Sequence, residues 1–118
     1  MQKEDFFKRD LFGLCPFYTV QKILSGKWNI LILHELSEST KRFNELRRKI
    51  DITHSMLTKQ LKLLEHEGII RREVFPEVPP RVEYSLTEIG KSFQPVLDSI
   101  EIWGKTYIEF LKARDKVD

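Results

Sequence analysis

The chain has 118 residues and a formal net charge of +2, and its apolar and charged fractions of 41% and 32% are typical of one globular domain. No apolar run is long enough to cross a bilayer, and the start of the chain, MQKEDFFKRDLF, lacks the apolar region of a secretory signal. The single cysteine, Cys15, excludes an internal disulfide and fits a reducing cytoplasm, so we expect one cytoplasmic domain over residues 1–118.

Positive charge is concentrated in the middle third of the chain. Residues 1–40 carry five Lys/Arg and five Asp/Glu, residues 41–72 carry nine against four, and residues 73–118 carry six against nine. A basic segment in a nearly neutral domain suggests a polyanionic partner. On charge alone, an ordinary solvated surface is the simpler explanation.

Two helices are predicted before residue 40. Pro16 suits the first turn of a helix, where a missing N–H costs nothing, and Ser25-Gly26 ends the apolar periodicity. The run WNILILHEL that follows is apolar on nearly every side, which is typical of a central, buried helix. A polar turn, SESTKRF, with a short extended piece at residues 41–43, then leads into the basic segment.

Two more helices follow, joined by a tight turn. Apolar residues three and four positions apart predict a helix in FNELRRKI, whose polar side carries three cations. Asp51-Ile52-Thr53 is the turn, and the Thr53 hydroxyl suits an N-cap for the next helix, HSMLTKQLKLLEHE. Gly68 is a fitting residue just beyond its C-terminus.

After Gly68 the apolar period changes to two. Val82, Tyr84 and Leu86 alternate with polar residues, and together with residues 69–75 they predict a hairpin whose tip is PEVPP. Thr87 then caps a last helix, which Pro95 should kink or divide near its start.

This order of elements is that of a winged helix-turn-helix, a fold that is mainly α with a small β-hairpin. In helix-turn-helix proteins the second helix enters the major groove and its N-terminal residues meet base edges. Each exposed polar side chain alone fits a solvated surface, so the prediction of double-stranded DNA as a partner depends on the elements and the charge together. The predicted contacts on the second helix and its cap, residues 54–66 and Thr53, are Thr53, His54, Ser55, Thr58, Lys59 and Lys62.

Four segments resemble the HxlR-type winged-helix transcriptional regulators of bacteria and archaea: GKWNILILHEL, KRFNELRRKI, MLTKQLKLLEHEGII and REVFPEVPPRVEYSLTEIGKSFQPVLDSIEIWG. The resemblance covers residues 15–104, and the proline-rich wing is its most specific part. It implies a homodimeric, cytoplasmic DNA-binding regulator. The turn IDIT is one residue shorter than the turn that is usual in that family.

The prolines of the hairpin tip lower the entropy lost when the tip is ordered on a partner. Arg81, which follows them in the wing at residues 75–81, is predicted to reach a phosphate or the minor groove. In the alternative, Arg81 pairs with Glu73 or Glu83 across the hairpin. Lys41 and Arg42, just before the first helix of the motif, are predicted phosphate contacts.

Cys15 immediately precedes Pro16, which predicts a helix N-cap, where the helix dipole favours the thiolate that oxidants attack. Several regulators of the resembled family sense quinones, aldehydes or oxidants through a cysteine followed by proline, so Cys15 is by resemblance a candidate redox sensor. The alternative is a small side chain that merely packs. A disulfide would need a second chain or a small thiol.

Apolar surface beyond the needs of one small domain predicts a homodimer. Two half-sites one helical turn apart need two recognition helices, which favours an interface formed by the N-terminal segment and the C-terminal helix, residues 87–114. A helix that wraps only its own domain is the alternative. The predicted interface residues are Phe6, Phe7, Leu97, Ile100, Trp103, Tyr107, Phe110 and Leu111.

An enzyme is not predicted. The three histidines lack metal-ligand spacing and no glycine-rich phosphate loop is present, so no metal or cofactor is expected. The alternative function is a winged-helix module that meets an acidic protein partner without specific DNA binding. The sequence indicates neither the operator nor a small-molecule effector.

Overall fold

The computed structural model describes residues 11–116 and has the mainly helical architecture with a small sheet that the sequence predicts. Phe6 and Phe7, two predicted interface residues, lie outside the described residues. In chain order the elements are α1 (Pro16–Ile23), α2 (Asn29–Glu38), β1 (Lys41–Arg42), α3 (Phe43–Ile50), α4 (His54–His66), β2 (Ile70–Phe75), β3 (Arg81–Leu86), α5 (Glu88–Lys91) and α6 (Gln94–Asp115).

The sheet has three antiparallel strands in the order β1-β3-β2. The predicted hairpin is β2 and β3, with Ile70 opposite Leu86 and Phe75 opposite Arg81. The short extended piece before α3 is β1, which places Lys41 opposite Tyr84. The sheet therefore ties the wing directly to the start of the helix-turn-helix.

One core holds the helices against the sheet. Side chains of α2, α3 and α4 pack with those of β2 and β3 and with one residue of α6. The apolar residues exposed by no more than 2% lie mainly on α2, α3 and α4: Ile32, Leu33, Leu46, Leu57, Leu61, Leu64 and Ile70. The prediction that the second helix is central is confirmed for its buried side, whereas Leu31 remains 43% exposed.

The turn between α3 and α4 is set by three consecutive residues. Asp51 has a left-handed backbone at φ 55 and ψ 49, a conformation that aspartate tolerates better than most side chains. Ile52 is buried and anchors the turn to the core. The Thr53 hydroxyl accepts a hydrogen bond from the Met56 N–H at 3.3 Å, so the predicted N-cap is confirmed.

A second cap fixes the chain where it leaves the wing. The Thr87 hydroxyl accepts from the Gly90 N–H at 3.2 Å and donates to the Gly68 carbonyl at 2.6 Å. A side chain at Gly90 would collide with the Ile69 carbonyl, so the close approach of α5 to β2 requires glycine there. As Pro95 predicts, the last helical region is divided, into α5 and α6.

Helix α6 extends away from the rest of the domain. The radius of gyration is 17.5 Å, whereas a compact domain of this length has about 13 Å. Leu97 is the only residue of α6 that is buried among residues 11–116. Because it is 7% exposed within the core of its own chain, its assignment to a dimer interface is wrong. Within residues 11–116, every helix is too short or too polar to span a bilayer.

Candidate nucleic-acid interface

Helix α4 has one side in the core and one side in solvent. Its buried residues, Leu57, Gln60, Leu61 and Leu64, recur three and four positions apart. At about 100° per residue, the side opposite to them is centred on Ser55, Lys59 and Lys62, all of which are exposed. The outward side thus presents one hydroxyl near the start of the helix and two ammonium groups further along it.

Two predicted contacts lie on the flank of α4 instead of its outward side. The His54 ring packs against Phe43 with the ring centroids 4.7 Å apart. The Thr58 hydroxyl donates to the His54 carbonyl at 2.9 Å, and the side chain is half-buried. The Thr53 hydroxyl accepts the N-cap bond from the Met56 N–H. These three residues support the N-terminal end of the helix, whereas Ser55, Lys59 and Lys62 face outward.

Lys41 is not available as a phosphate contact. Its Nζ donates to the Glu35 carbonyl at 2.7 Å and to Ser39 Oγ at 3.0 Å, and it lies 3.8 Å from Glu35 Oε1. The side chains of Lys41 and Glu35 are 7% and 15% exposed. The predicted contact is therefore wrong, because the ammonium is turned inward to neutralise a carboxylate near the core.

Arg81 is likewise engaged within the wing. Its Nε lies 2.8 Å from Glu77 Oε2 and its Nη1 lies 3.2 Å from Glu83 Oε2. The guanidinium carbon lies 4.0 Å from the centroid of the Phe75 ring. The DNA contact predicted for Arg81 is not supported, because two carboxylates and a ring already hold the guanidinium. The alternative pairing with Glu83 is present, and Glu77 takes the place expected for Glu73.

Among the described residues, the cations that form ion pairs and those that do not lie in different parts of the chain. Of the nine Lys and Arg within residues 41–72, only Lys41 forms an ion pair. The other eight are all exposed: Arg42, Arg47, Arg48, Lys49, Lys59, Lys62, Arg71 and Arg72. By contrast, every cation within residues 73–115 is paired: Arg81, Lys91, Lys105, Lys112 and Arg114. Most unpaired cations of the described residues therefore lie in the helix-turn-helix and the first strand of the wing, and the others are Lys22, Lys27 and Lys116.

Two grooves separate the helix-turn-helix from the wing. The larger has a volume of about 750 Å³ and lies between the start of α3 and the wing, where its lining includes Arg42, Arg48 and Pro80. The smaller, of about 270 Å³, lies between α4 and β2. Arg48 and Arg72 line these grooves, and sequence reasoning assigned a contact to neither. Both residues lie in the basic segment of the sequence, which indicates a polyanionic partner. Their positions along the grooves depend on tertiary packing, which a sequence pattern does not show.

Cys15 is the N-cap residue of α1, as predicted. Its backbone is extended, with φ −101 and ψ 122, and its carbonyl accepts from the Thr19 N–H at 2.9 Å. The thiol is free and half-buried. No residue of α1 is buried, so this helix contributes little to the core.

Aromatic side chains form a row along α6. Trp103, Tyr107 and Phe110 stack with centroid distances of 5.3 and 5.6 Å, and they remain 65%, 42% and 55% exposed. Ile100 and Leu111 flank the row and are half-buried. Exposing this much apolar surface to water is unfavourable in free energy, and such a surface is typical of an interface.

Titratable side chains were compared with the arrangements that bind metal ions. Among residues 11–116, no three His, Cys, Asp or Glu side chains are arranged to hold a metal ion. His34 lies 3.2 Å from Glu38 one helical turn away, and both side chains are exposed.

Comparison with known proteins identifies relatives over most of the chain. The HxlR-like helix-turn-helix family matches residues 23–112. The HTH-type transcriptional regulator YdeP of Bacillus subtilis is 43% identical over 119 residues, which cover 94% of this chain and 93% of YdeP.

Solved structures give the same result. The redox regulator HypR in its reduced form has a TM-score of 0.78 at 40% identity, covering 84% of this chain and 99% of that chain. The reduced form of the transcriptional regulator YodB from B. subtilis has a TM-score of 0.70 at 38% identity, covering 80% and 94%. HypR is also known in an oxidised form and YodB after diamide treatment. The winged-helix fold and the resemblance noted from the sequence are confirmed.

Because Lys41 is buried and Arg42 is exposed, we expect substitution of Lys41 to lower the stability of the fold more than substitution of Arg42. Lys41→Ala leaves the Glu35 carboxylate without its partner near the core and should lower the free energy of unfolding by about 3 kcal/mol. Arg42→Ala removes the same charge from the surface and should change it by less than about 0.5 kcal/mol. Urea unfolding of both variants measures the difference. Equal stability of the two would show that the Lys41 ammonium does not stabilise the fold.

Proposed function

The chain belongs to the HxlR-like helix-turn-helix family, and from this premise we propose that it is a homodimeric transcriptional regulator that binds specific sequences of double-stranded DNA. The observation that carries the proposal is the group of exposed cations within residues 42–72 that form no ion pair with the described residues, apart from Arg71, which faces the opposite side of the sheet. Lys59 and Lys62 lie on the polar, outward side of α4, and Arg72 lines the smaller groove beside that helix. Long-range attraction to phosphates and short-range recognition of bases are thus provided by the same part of the surface.

In this proposal α4 lies in the major groove with its N-terminal half against the bases. Ser55 can donate to or accept from a base edge, whereas Lys59 and Lys62 supply cationic donors. The wing lies near the adjacent backbone or minor groove. Because the Arg81 guanidinium is held by Glu77 and Glu83, the wing tip contributes shape more than charge.

The aromatic row of α6 supports dimerisation. A helix of 22 residues with one buried residue exposes more apolar area than its own domain covers. Burial of the row against a second copy would remove that area from water and would pair two recognition helices for two half-sites. A regulator of this kind acts in the cytoplasm, where the bacterial or archaeal chromosome lies.

The redox proposal is supported by the position of Cys15 and by the relatives HypR and YodB, which are known in reduced and oxidised or diamide-treated forms. We propose that two Cys15 thiols, or Cys15 and a small thiol, form a disulfide under oxidising conditions. Because α1 buries no residue in the core, such a bond can displace α1 while the helix-turn-helix stays folded.

Selection from a pool of random DNA duplexes tests the main proposal. We expect enrichment of an inverted repeat whose half-sites lie about 34 Å apart, one turn of DNA. Ser55→Ala should change the preferred base at one position of each half-site, whereas Lys62→Ala should weaken all duplexes and reduce the salt slope by about one. Failure to enrich any sequence would favour the protein-interaction module instead.

Matched substitutions on α6 test dimerisation. Trp103→Glu places a charge in the aromatic row and should convert the dimer to a monomer in sedimentation experiments at micromolar concentration. Ile102→Glu is the control, because Ile102 is similarly exposed, at 69% against 65%, but lies outside the stacked row. A monomeric wild type, or equal effects of both changes, would contradict the proposed interface.

Diamide treatment tests the role of Cys15. It oxidises two thiols to one disulfide and is itself reduced to the hydrazine. Operator affinity of the wild type should change at least severalfold on oxidation and return with dithiothreitol, whereas Cys15→Ser should bind equally in both states. Identical behaviour of the two proteins would exclude redox control through Cys15.

A further inference from the structure

The cleft between α4 and β2 brings together two uncompensated cations from different elements. Lys62 projects from α4 and Arg72 from β2, and both line the same space of about 270 Å³. Neither side chain forms an ion pair or hydrogen bond with another residue in 11–116. Two cations that line one cleft without an ion pair repel each other, so the cleft is electrostatically suited to a negatively charged group.

The walls of the cleft leave little internal compensation for these charges. Leu61 and Tyr84 are buried beneath it, and the Thr58 proton is already donated to the His54 carbonyl. The Tyr84 hydroxyl forms no hydrogen bond with any described residue. Glu65 is the one carboxylate on the lining, and it is exposed and unpaired among the described residues.

The alternation of β2 separates Arg72 from its neighbour Arg71. Arg72 lies opposite Tyr84 and faces the cleft beside α4. Arg71 lies opposite Ser85 and faces the other side of the sheet, towards Glu88. Successive residues of a strand point to opposite faces, so these two adjacent, exposed arginines carry the same charge on opposite sides of the sheet.

We propose that this cleft holds one backbone phosphate of the bound duplex, with Arg72 as a positioning contact from the wing and Lys62 as its counterpart on the recognition helix. The inference rests on the proposed DNA-binding function and deepens it. When α4 enters the major groove, the phosphate strand bordering that groove passes beside the helix, which is the side that the cleft occupies. A guanidinium and an ammonium are the donors that phosphate oxygens bind most strongly.

This assignment takes the place of the phosphate contacts that the sequence predicts for Arg81 and Lys41. Arg81 is held by Glu77 and Glu83, and Lys41 is turned into the core. Arg72 is unpaired and exposed at the base of the same hairpin. A contact at the base of the hairpin, next to the sheet, is also more rigid than one at its tip. It therefore fixes the angle at which α4 enters the groove.

Three single substitutions test the proposal. Binding is measured by fluorescence anisotropy over a salt series, both to the duplex selected from the random pool and to a scrambled duplex. Arg72→Gln should weaken binding to both duplexes by about tenfold and reduce the salt slope by about one. Arg71→Gln removes the same charge from the opposite face and should stay within about twofold of the wild type. Glu65→Gln removes the carboxylate from the cleft and should tighten binding to both duplexes severalfold.

The pattern of outcomes separates this inference from the function on which it rests. Equal losses for Arg72→Gln and Arg71→Gln would mean that only the general positive field matters. A loss for Arg72→Gln on the selected duplex alone would make it a base contact, and weaker binding by Glu65→Gln would exclude a phosphate in the cleft. Each of these overturns the proposal while the wild type still binds DNA. A wild type that binds no duplex overturns the proposed function and this inference together.

Discussion

The burial of one side of α4 determines what the rest of the surface can do. Leu57, Leu61 and Leu64 are at most 2% exposed, and they fix the rotation of the helix about its axis. Burial of three leucines contributes several kcal/mol, whereas a turn of the helix by one residue would place apolar side chains in water. The polar face therefore points outward because the apolar face is held in the core. No other interaction is needed to orient the recognition helix. The Asp51 turn and the Thr53 cap then fix where the outward face begins.

Carboxylates shape the interface by selecting which cations stay free. Glu35, Glu77 and Glu83 engage Lys41 and Arg81, and pairs one helical turn or less apart engage the cations of α5 and α6. Exposed pairs of this kind stabilise the fold little. Their consequence is electrostatic, because they cancel charge outside the helix-turn-helix and leave the positive potential there. A chain with a formal charge of only +2 thus presents a strongly basic patch.

Much of the fold was predictable because its signals are local. The bounds of α3, the Thr53 cap, the hairpin and the division of the last helix at Pro95 depend on spacing, capping and proline geometry within a few residues. The functional surface was only partly predictable. Lys41 turns towards Glu35, six residues earlier, and Arg81 pairs with Glu77 and Glu83, four and two residues away, so the spacing allowed these contacts without selecting them. The burial of Leu97 depends on packing against the rest of the core. Periodicity identifies the faces of a helix or strand, but not which neighbour covers each face.

The distribution of burial also separates the protein into a rigid and a lightly attached part. The helix-turn-helix and the sheet share one core, whereas α1 buries no residue and α6 buries only Leu97 among the described residues. A hydrogen bond of 2.7 Å from Asn29 Nδ2 to the Ile23 carbonyl ties the end of α1 to α2. Displacing α1 or α6 would therefore cost little core packing. If a signal acts at Cys15, it changes the spacing of two recognition helices in a dimer more readily than the shape of either one, and DNA with fixed half-site spacing is sensitive to that change.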